Sequence, residues 1–126
     1  MNATTAQPQF GPYTPVRKAG DYYFVSGQVG VDSDKKAAPT VEAQCHQVLK
    51  NLGTVLKNAG LTMVDVVKTT IFLQDITDYA AVNDIYVTYF PEPRPARSCV
   101  AVAALPNVAD NTLLIEIEAV AYKEER

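Results

Sequence analysis

Few residues in this chain could do chemistry, and two stretches hold most of them. Arg97 stands near the start of "RPARSCV" (94–100), with Cys99 two positions on. Glu116 and Glu118 alternate with apolar residues in "IEIEA" (115–119). The planar fork of an arginine matches a carboxylate with two parallel hydrogen bonds, which a lysine cannot reproduce. A glutamate can accept or return a proton. His46 is the only histidine, so a His-based metal site or a Ser-His-Asp relay has no second member to stand on. Cys45 and Cys99 are far apart and form no CxxC pair. They read as free buried thiols, with no metal or redox motif.

Composition narrows the setting. The chain has 126 residues, enough for one domain spanning 1–126, and 48% of them are hydrophobic. Residues 1–10 carry little periodic apolar content and are expected to be flexible. The net charge of −3 argues against nucleic acid as a partner, because phosphate binding draws on clustered Lys and Arg. No apolar run reaches membrane-spanning length, and "MNATTAQPQF" lacks a basic start and an apolar h-region. A cytoplasmic protein is expected.

The elements that must position Arg97 and Glu116 follow from pattern. "DYYFVSGQVGV" (21–31) predicts a strand that bends or ends near Ser26-Gly27. Residues 40–60 have helical spacing, with Val41, Cys45, Val48, Leu49, Leu52, Val55, Leu56 and Ala59 in one stripe. Thr40 suits the N-cap and Gly60 the stop, while His46 lies at the flank of the stripe. "DVVKTTIFLQD" (65–75) predicts a strand. Thr77 then caps a second helix through about Phe90, with Val82, Ile85, Tyr86, Tyr89 and Phe90 inward. "PEPRP" (91–95) cannot continue it. Strands at 96–105 and 112–122 complete the chain. This order predicts an α+β fold: a two-layer sandwich with a mixed sheet and two helices on one face.

Alternation assigns the two faces. In the last strand Leu113, Ile115, Ile117, Ala119 and Ala121 are all apolar and should lie under the helices. Leu114, Glu116, Glu118, Val120 and Tyr122 make a mixed face, as do Val66, Lys68, Thr70 and Phe72. Such a face suits a homo-oligomer interface, the plainer alternative being a monomer with scattered apolar surface. Arg97, Cys99, Ala101 and Ala103 are expected on this helix-free face beside Glu116, with Ser98, Val100, Val102 and Ala104 toward the helices. Two readings of Arg97 then stand side by side. One is an interfacial ion pair with Glu116; the other is a carboxylate-binding arginine.

A resemblance bears on that choice. "GPY" (11–13), "VSGQVGV" (25–31), "NAGLTMVDVVKTTIFLQD" (58–75), "YAAVNDIY" (79–86), "RPARSCVAVAALP" (94–106) and "IEIEAVA" (115–121) resemble, in this order, the reactive intermediate deaminase family (Rid, YjgF-like), closest to its RidA-type members. The resemblance implies a chorismate-mutase-like α+β fold in a homotrimer, with three sites in the clefts between subunits. It implies hydrolysis of enamines and imines, released by pyridoxal-phosphate-dependent dehydratases, to 2-keto acids and ammonia, with no metal or organic cofactor. The implied partners are the small-molecule imine or enamine and the 2-keto acid.

By that resemblance, Arg97 grips the substrate carboxylate and Glu116 positions and activates water. Cys99 supplies a backbone carbonyl that helps hold the water. Tyr13 closes over the ligand, Ser26 and Gly27 form the pocket floor, and Asn83 lies near the site. Taken without it, Tyr13 caps a sheet edge, Gly27 and Gly30 serve bends, Ser26 satisfies a local amide and Asn83 is a polar helix residue. The short "PEPRP" loop, the second cation Arg94 and Pro15 after "GPYT" depart from the family pattern and bear on substrate preference. The alternatives to a deaminase are a non-enzymatic trimer binding a keto acid or amino acid, and a stress-linked chaperone or ribonuclease. The acidic balance speaks against RNA cleavage.

Overall fold

The structure, a computed structural model, describes residues 7–125. Of the stretch expected to be flexible, residues 1–6 lie outside the described residues. Residues 7–10 run along the sheet. The Val29 N–H donates to Gln7 Oε1 at 2.6 Å, and Phe10 packs beside Val29, Val31 and Leu113.

Five strands and two helices follow the chain as β1 (Val16–Ala19), β2 (Tyr22–Val29), α1 (Val41–Asn58), β3 (Val66–Leu73), α2 (Tyr79–Tyr86), β4 (Ala96–Ala101) and β5 (Ile115–Tyr122). They form one sheet in the order β1-β2-β5-β3-β4. The β3–β4 pair is parallel, because α2 carries the chain back across; the other pairs are antiparallel. The mixed α+β sandwich is as predicted. The apolar stripe of α1 and the odd residues Ile115, Ile117, Ala119 and Ala121 of β5 share one core with Val82, Tyr86 and Phe90.

Local chemistry sets the helix ends. Thr40 Oγ1 accepts from Ala43 N at 3.2 Å at the start of α1. At the other end the N–H groups of Ala59 and Gly60 close on Leu56 and Lys57 carbonyls. The second helix differs from expectation. Asp75, not Thr77, caps the turn before it: Asp75 Oδ1 accepts from Thr77 N at 2.9 Å, and residues Ile76–Asp78 form a 3₁₀ turn. The α-helix ends at Tyr86, and a looser turn brings Tyr89 and Phe90 inward. A strand at Val16–Ala19 was not anticipated, its four residues being too few and too polar to show alternation.

Three corrections follow, one to the length of a strand and two to the faces. The 96–105 strand stops at Ala101, because β3, on which it pairs, ends opposite it at Leu73. Val66 is in the core instead of on the mixed face, because a bulge between Val66 and Lys68 shifts the alternation by one. Most consequentially, Arg97 and Cys99 lie on the helix-covered face, not beside Glu116. The parallel register sets Arg97 against Thr69 and Cys99 against Ile71, both of which point into the core. Ser98 and Val100 instead neighbour Thr70 and Phe72 on the helix-free face. Alternation separates the two sets of β4 side chains; only the partner strand says which set faces the helices.

Candidate active site: two half-sites on opposite faces

The first half-site is built from β4 and α2. Arg97 is half-buried beneath two aromatic rings. Its Cζ lies 5.0 Å from the Tyr86 ring centre and 5.4 Å from that of Tyr79. One guanidinium nitrogen donates to the Tyr79 hydroxyl at 3.1 Å. Tyr86 is itself fixed: its hydroxyl and Thr69 Oγ1 share a buried hydrogen bond of 2.7 Å. Stacking on aromatic faces favours the cation and stiffens a long side chain. Among the described residues no carboxylate pairs with Arg97, so most of its donors remain uncommitted. Tyr79, Asn83 and Tyr86 recur at helical spacing, which puts Asn83 on the same face of α2.

Cys99 follows Arg97 on this face and packs against the core. Burial pushes its thiol pKa up, against the opposing pull of Arg97, so the thiol stays protonated near neutral pH. Cys45 is deeper, and burial raises its pKa to about 12. Cys45 is buried, and at Cys99 burial outweighs the pull of Arg97, so neither thiol is activated as a nucleophile. His46 sits on the exposed side of α1, with Nδ1 2.8 Å from the Tyr89 hydroxyl. Among the described residues no group of three or more His, Cys, Asp or Glu is placed to hold a metal ion.

The second half-site is on the helix-free face. Glu116 lies in β5 between Phe72 of β3 and Val29 of β2. The β2–β5 register breaks between Val25 and Gln28, so Ser26 and Gly27 form a bulge beside it. A Cβ on Gly27 would fall 2.0 Å from Glu116 Oε2. Gly27 therefore serves close approach: the carboxylate lies on bare backbone. Gly30 serves the same purpose elsewhere, since its Cβ would meet the Gln44 backbone oxygen at 2.7 Å. Gly27 lies in the bulge and Gly30 at the bend that ends β2, as expected; neither has a positive φ, so what demands glycine at each is this close approach.

Ser26 joins the bulge to the segment bearing Tyr13. Its Oγ donates to Thr14 O at 2.6 Å, and its N–H donates to Pro15 O at 2.9 Å. Tyr13 is held in turn by the Phe10 N–H, which donates to its hydroxyl at 3.2 Å. Tyr13, Ser26, Gly27, Glu116, Phe10 and Pro106 line an open cavity of about 450 Å³. Burial, and then the neighbouring Glu118 charge, raise the Glu116 pKa above the ordinary carboxylate value of 4.5. No cation among the described residues offsets that.

The seven residues singled out in the sequence thus divide. Tyr13, Ser26, Gly27 and Glu116 gather on one face, while Arg97 and Cys99 lie on the other with α2 and Asn83. One chain does not bring Arg97 and Glu116 together, and a small ligand cannot reach both through the sheet. Sequence reasoning missed Tyr79 as the hydroxyl that holds Arg97, and placed Tyr86 only as core. The seven-residue spacing of the two tyrosines was visible, but its meaning depended on which face Arg97 takes.

The chain is similar to known proteins over nearly its whole length. The family model described as Endoribonuclease L-PSP matches residues 4–123. The mouse protein named 2-iminobutanoate/2-iminopropanoate deaminase is 42% identical over 125 residues, covering 98% of this chain and 90% of that protein. The crystal structure of RidA from the Antarctic bacterium Psychrobacter sp. PAMC 21119 superposes with a TM-score of 0.87 at 35% identity, covering 94% of each chain. That of E. coli TdcF with bound serine gives 0.85 at 34% identity, again covering 94% of each. On these similarities, which run nearly the whole length of the chain, the protein belongs to the reactive intermediate deaminase (YjgF-like, L-PSP) family.

Proposed function

We propose that this protein is an enamine/imine deaminase that hydrolyses 2-iminobutanoate and 2-iminopropanoate to 2-keto acids and ammonia. We further propose that it works as a homotrimer with its sites between subunits. In each site the Arg97 half of one copy meets the Glu116 half of the next. The observation that carries this reading is the Arg97 guanidinium, packed against two tyrosine rings and, among the described residues, committed to no carboxylate. An arginine held that way is preorganised for an incoming carboxylate. The ion-pair reading finds no support within one chain, since Glu116 occupies the other face.

The chemistry asks for orientation and one proton carrier. Arg97 takes the substrate carboxylate in two hydrogen bonds. Glu116 accepts a proton from a water as the water oxygen bonds to the C=N carbon and the π pair moves to nitrogen. That proton, returned to the nitrogen, gives the carbinolamine; Glu116 then takes the hydroxyl proton and passes it to the nitrogen, so the C–N bond breaks, the carbonyl forms and ammonia leaves. A carboxyl whose pKa is raised by burial is a stronger base when ionised than an exposed one, which suits it to taking up a proton and handing it on. In this reading the Cys99 carbonyl helps hold the water, Ser26 and Gly27 form the floor, Tyr13 closes over the ligand and Asn83 borders it. The cytoplasm is the proposed setting, which two free thiols fit. Among the described residues no helix is long and apolar enough to cross a membrane.

A second reading, a trimer that binds an amino acid or keto acid without turnover, draws on the relative crystallised with bound serine. One assay separates the two. A serine or threonine dehydratase generates the imine, and 2-keto acid release is timed with wild type and with Arg97→Ala. Faster release that disappears in the variant supports the deaminase. Saturable serine binding lost in Arg97→Ala, with no acceleration by the folded wild type, supports the binding protein instead.

A further inference from the structure

Behind the Tyr13 segment lies a second cavity, of about 310 Å³. Pro8, Pro15, Val16, Val55, Ala59 and Gln28 contribute to its walls, and no charged side chain lines it. Tyr13 lines both this cavity and the one over Glu116. Gln28 is only 2% exposed. Its Nε2 donates to Ser26 O at 3.1 Å, whereas its Oε1 has no hydrogen-bond partner among the described residues.

The other buried amides show how unusual that is here. Gln44 bonds Ala38 O and Thr112 O through Nε2 and accepts from Leu114 N through Oε1. Asn51 Nδ2 donates to the carbonyls of both Val29 and Val31 and its Oδ1 accepts from Gln47. Those amides tie α1 to the end of β2 and to the segments beside it, and are satisfied. A buried acceptor left unpaired is costly, and a methionine would fill the same space without that cost.

We propose that this cavity is a second binding site, for a small neutral molecule with an apolar body and an N–H or O–H group that Gln28 Oε1 accepts. The cavity volume falls within the range of small-molecule sites. An anion is disfavoured, because the cavity has no cation and lies against the C-terminal end of α1, where the helix dipole is negative. A buried ammonium lacks a counter-charge and is disfavoured by desolvation. The site is separate from the proposed imino-acid site and does not depend on it.

Titration of ¹⁵N-labelled protein with benzamide, methyl benzoate and benzoate tests this, since the three share a ring and differ in donor and charge. Benzamide is expected to give saturable amide shifts at Gln28, Val55 and Ala59. It should bind about fivefold tighter than methyl benzoate, ~1 kcal/mol at 1.4 kcal/mol per tenfold. Benzoate should leave those three amides unmoved. Gln28→Met should remove the preference for benzamide, and Ala59→Phe should fill the cavity and abolish binding there. Ala59→Phe and the wild-type comparison keep the test decisive if Gln28→Met does not fold. Equal binding of benzamide and methyl benzoate by the wild type would overturn the proposal. So would a preference that survives Gln28→Met, or the absence of saturable shifts at these residues.

Discussion

Arg97 and Glu116 are each half-buried, and among the described residues neither has an opposite charge beside it, but the two faces of the sheet hold them by different means. On the helix-covered face the protein adds material: Tyr79 and Tyr86 flank the guanidinium, and Thr69 fixes Tyr86 from below. On the helix-free face it removes material, since Gly27 leaves bare backbone where any other residue would collide with the carboxylate. A flexible cation is preorganised by stacking; a short carboxylate is preorganised by a gap. In the proposed reading, each face holds half of a reaction. The proposed trimer supplies the other half from a neighbouring copy.

Mixing two inactive variants would give the largest effect. Arg97→Ala and Glu116→Gln should each lower kcat/KM about a hundredfold or more, through loss of a charge-assisted carboxylate contact and of general acid–base assistance. Unfolded together in equal amounts and refolded, they should regain activity in roughly one site in four, because some sites then combine an intact Arg97 with an intact Glu116 from another copy. No recovery, with mixed assemblies verified by mass spectrometry, would sink the placement of the two halves on different copies. Gly27→Ala should come next. Its methyl displaces the Glu116 carboxylate by an ångström or more, worth about a hundredfold in kcat/KM with the Tm little changed. A Gly27→Ala enzyme of wild-type activity would remove the gap from the account.

The pH profile is a finer instrument. Activity that needs ionised Glu116 should rise through a midpoint above the ordinary 4.5. Glu118→Gln should move that midpoint down, since the Glu118 charge helps raise it. Stability runs the other way. A carboxyl with a folded pKa above its unfolded one is most favourable below the unfolded value, and that contribution is lost as pH rises through the folded value. Glu116→Gln should therefore have a higher Tm than wild type near neutral pH, and the difference should shrink on acidification below 4.5. Smallest is Tyr79→Phe, which keeps the ring and loses one hydrogen bond to Arg97. It should raise KM about fivefold with kcat nearly unchanged, because the guanidinium is less well held for binding. An equal fall in kcat instead would place Tyr79 in the chemical step.

Much of the architecture was legible in residue order. The stripe of α1, the Thr40 cap and the apolar odd positions of β5 each follow from periodicity, because a helix or strand repeats its faces at a fixed interval. The site was legible only as a roster. "PARS", "IEIEA", "SGQ" and "GPY" supplied its members, and the sheet then dealt them to two faces. Arg97 went astray because alternation in a strand is symmetric: either set of side chains fits the pattern, and a polar arginine with a small, apolar neighbour set favoured the wrong one. Val66 went astray because a bulge changes the count without leaving a mark in composition.

By itself, the sequence determined the kinds of element, their order and the chemical groups on offer, since backbone periodicity, capping and side-chain chemistry are local properties. Tertiary structure alone decided which face each group occupies. That choice depends on strand register, on the bulges at Ser26-Gly27 and after Val66, and on the parallel pairing that turns Arg97 toward α2. All of these are set by contacts between residues distant along the chain, where no local interval can record them.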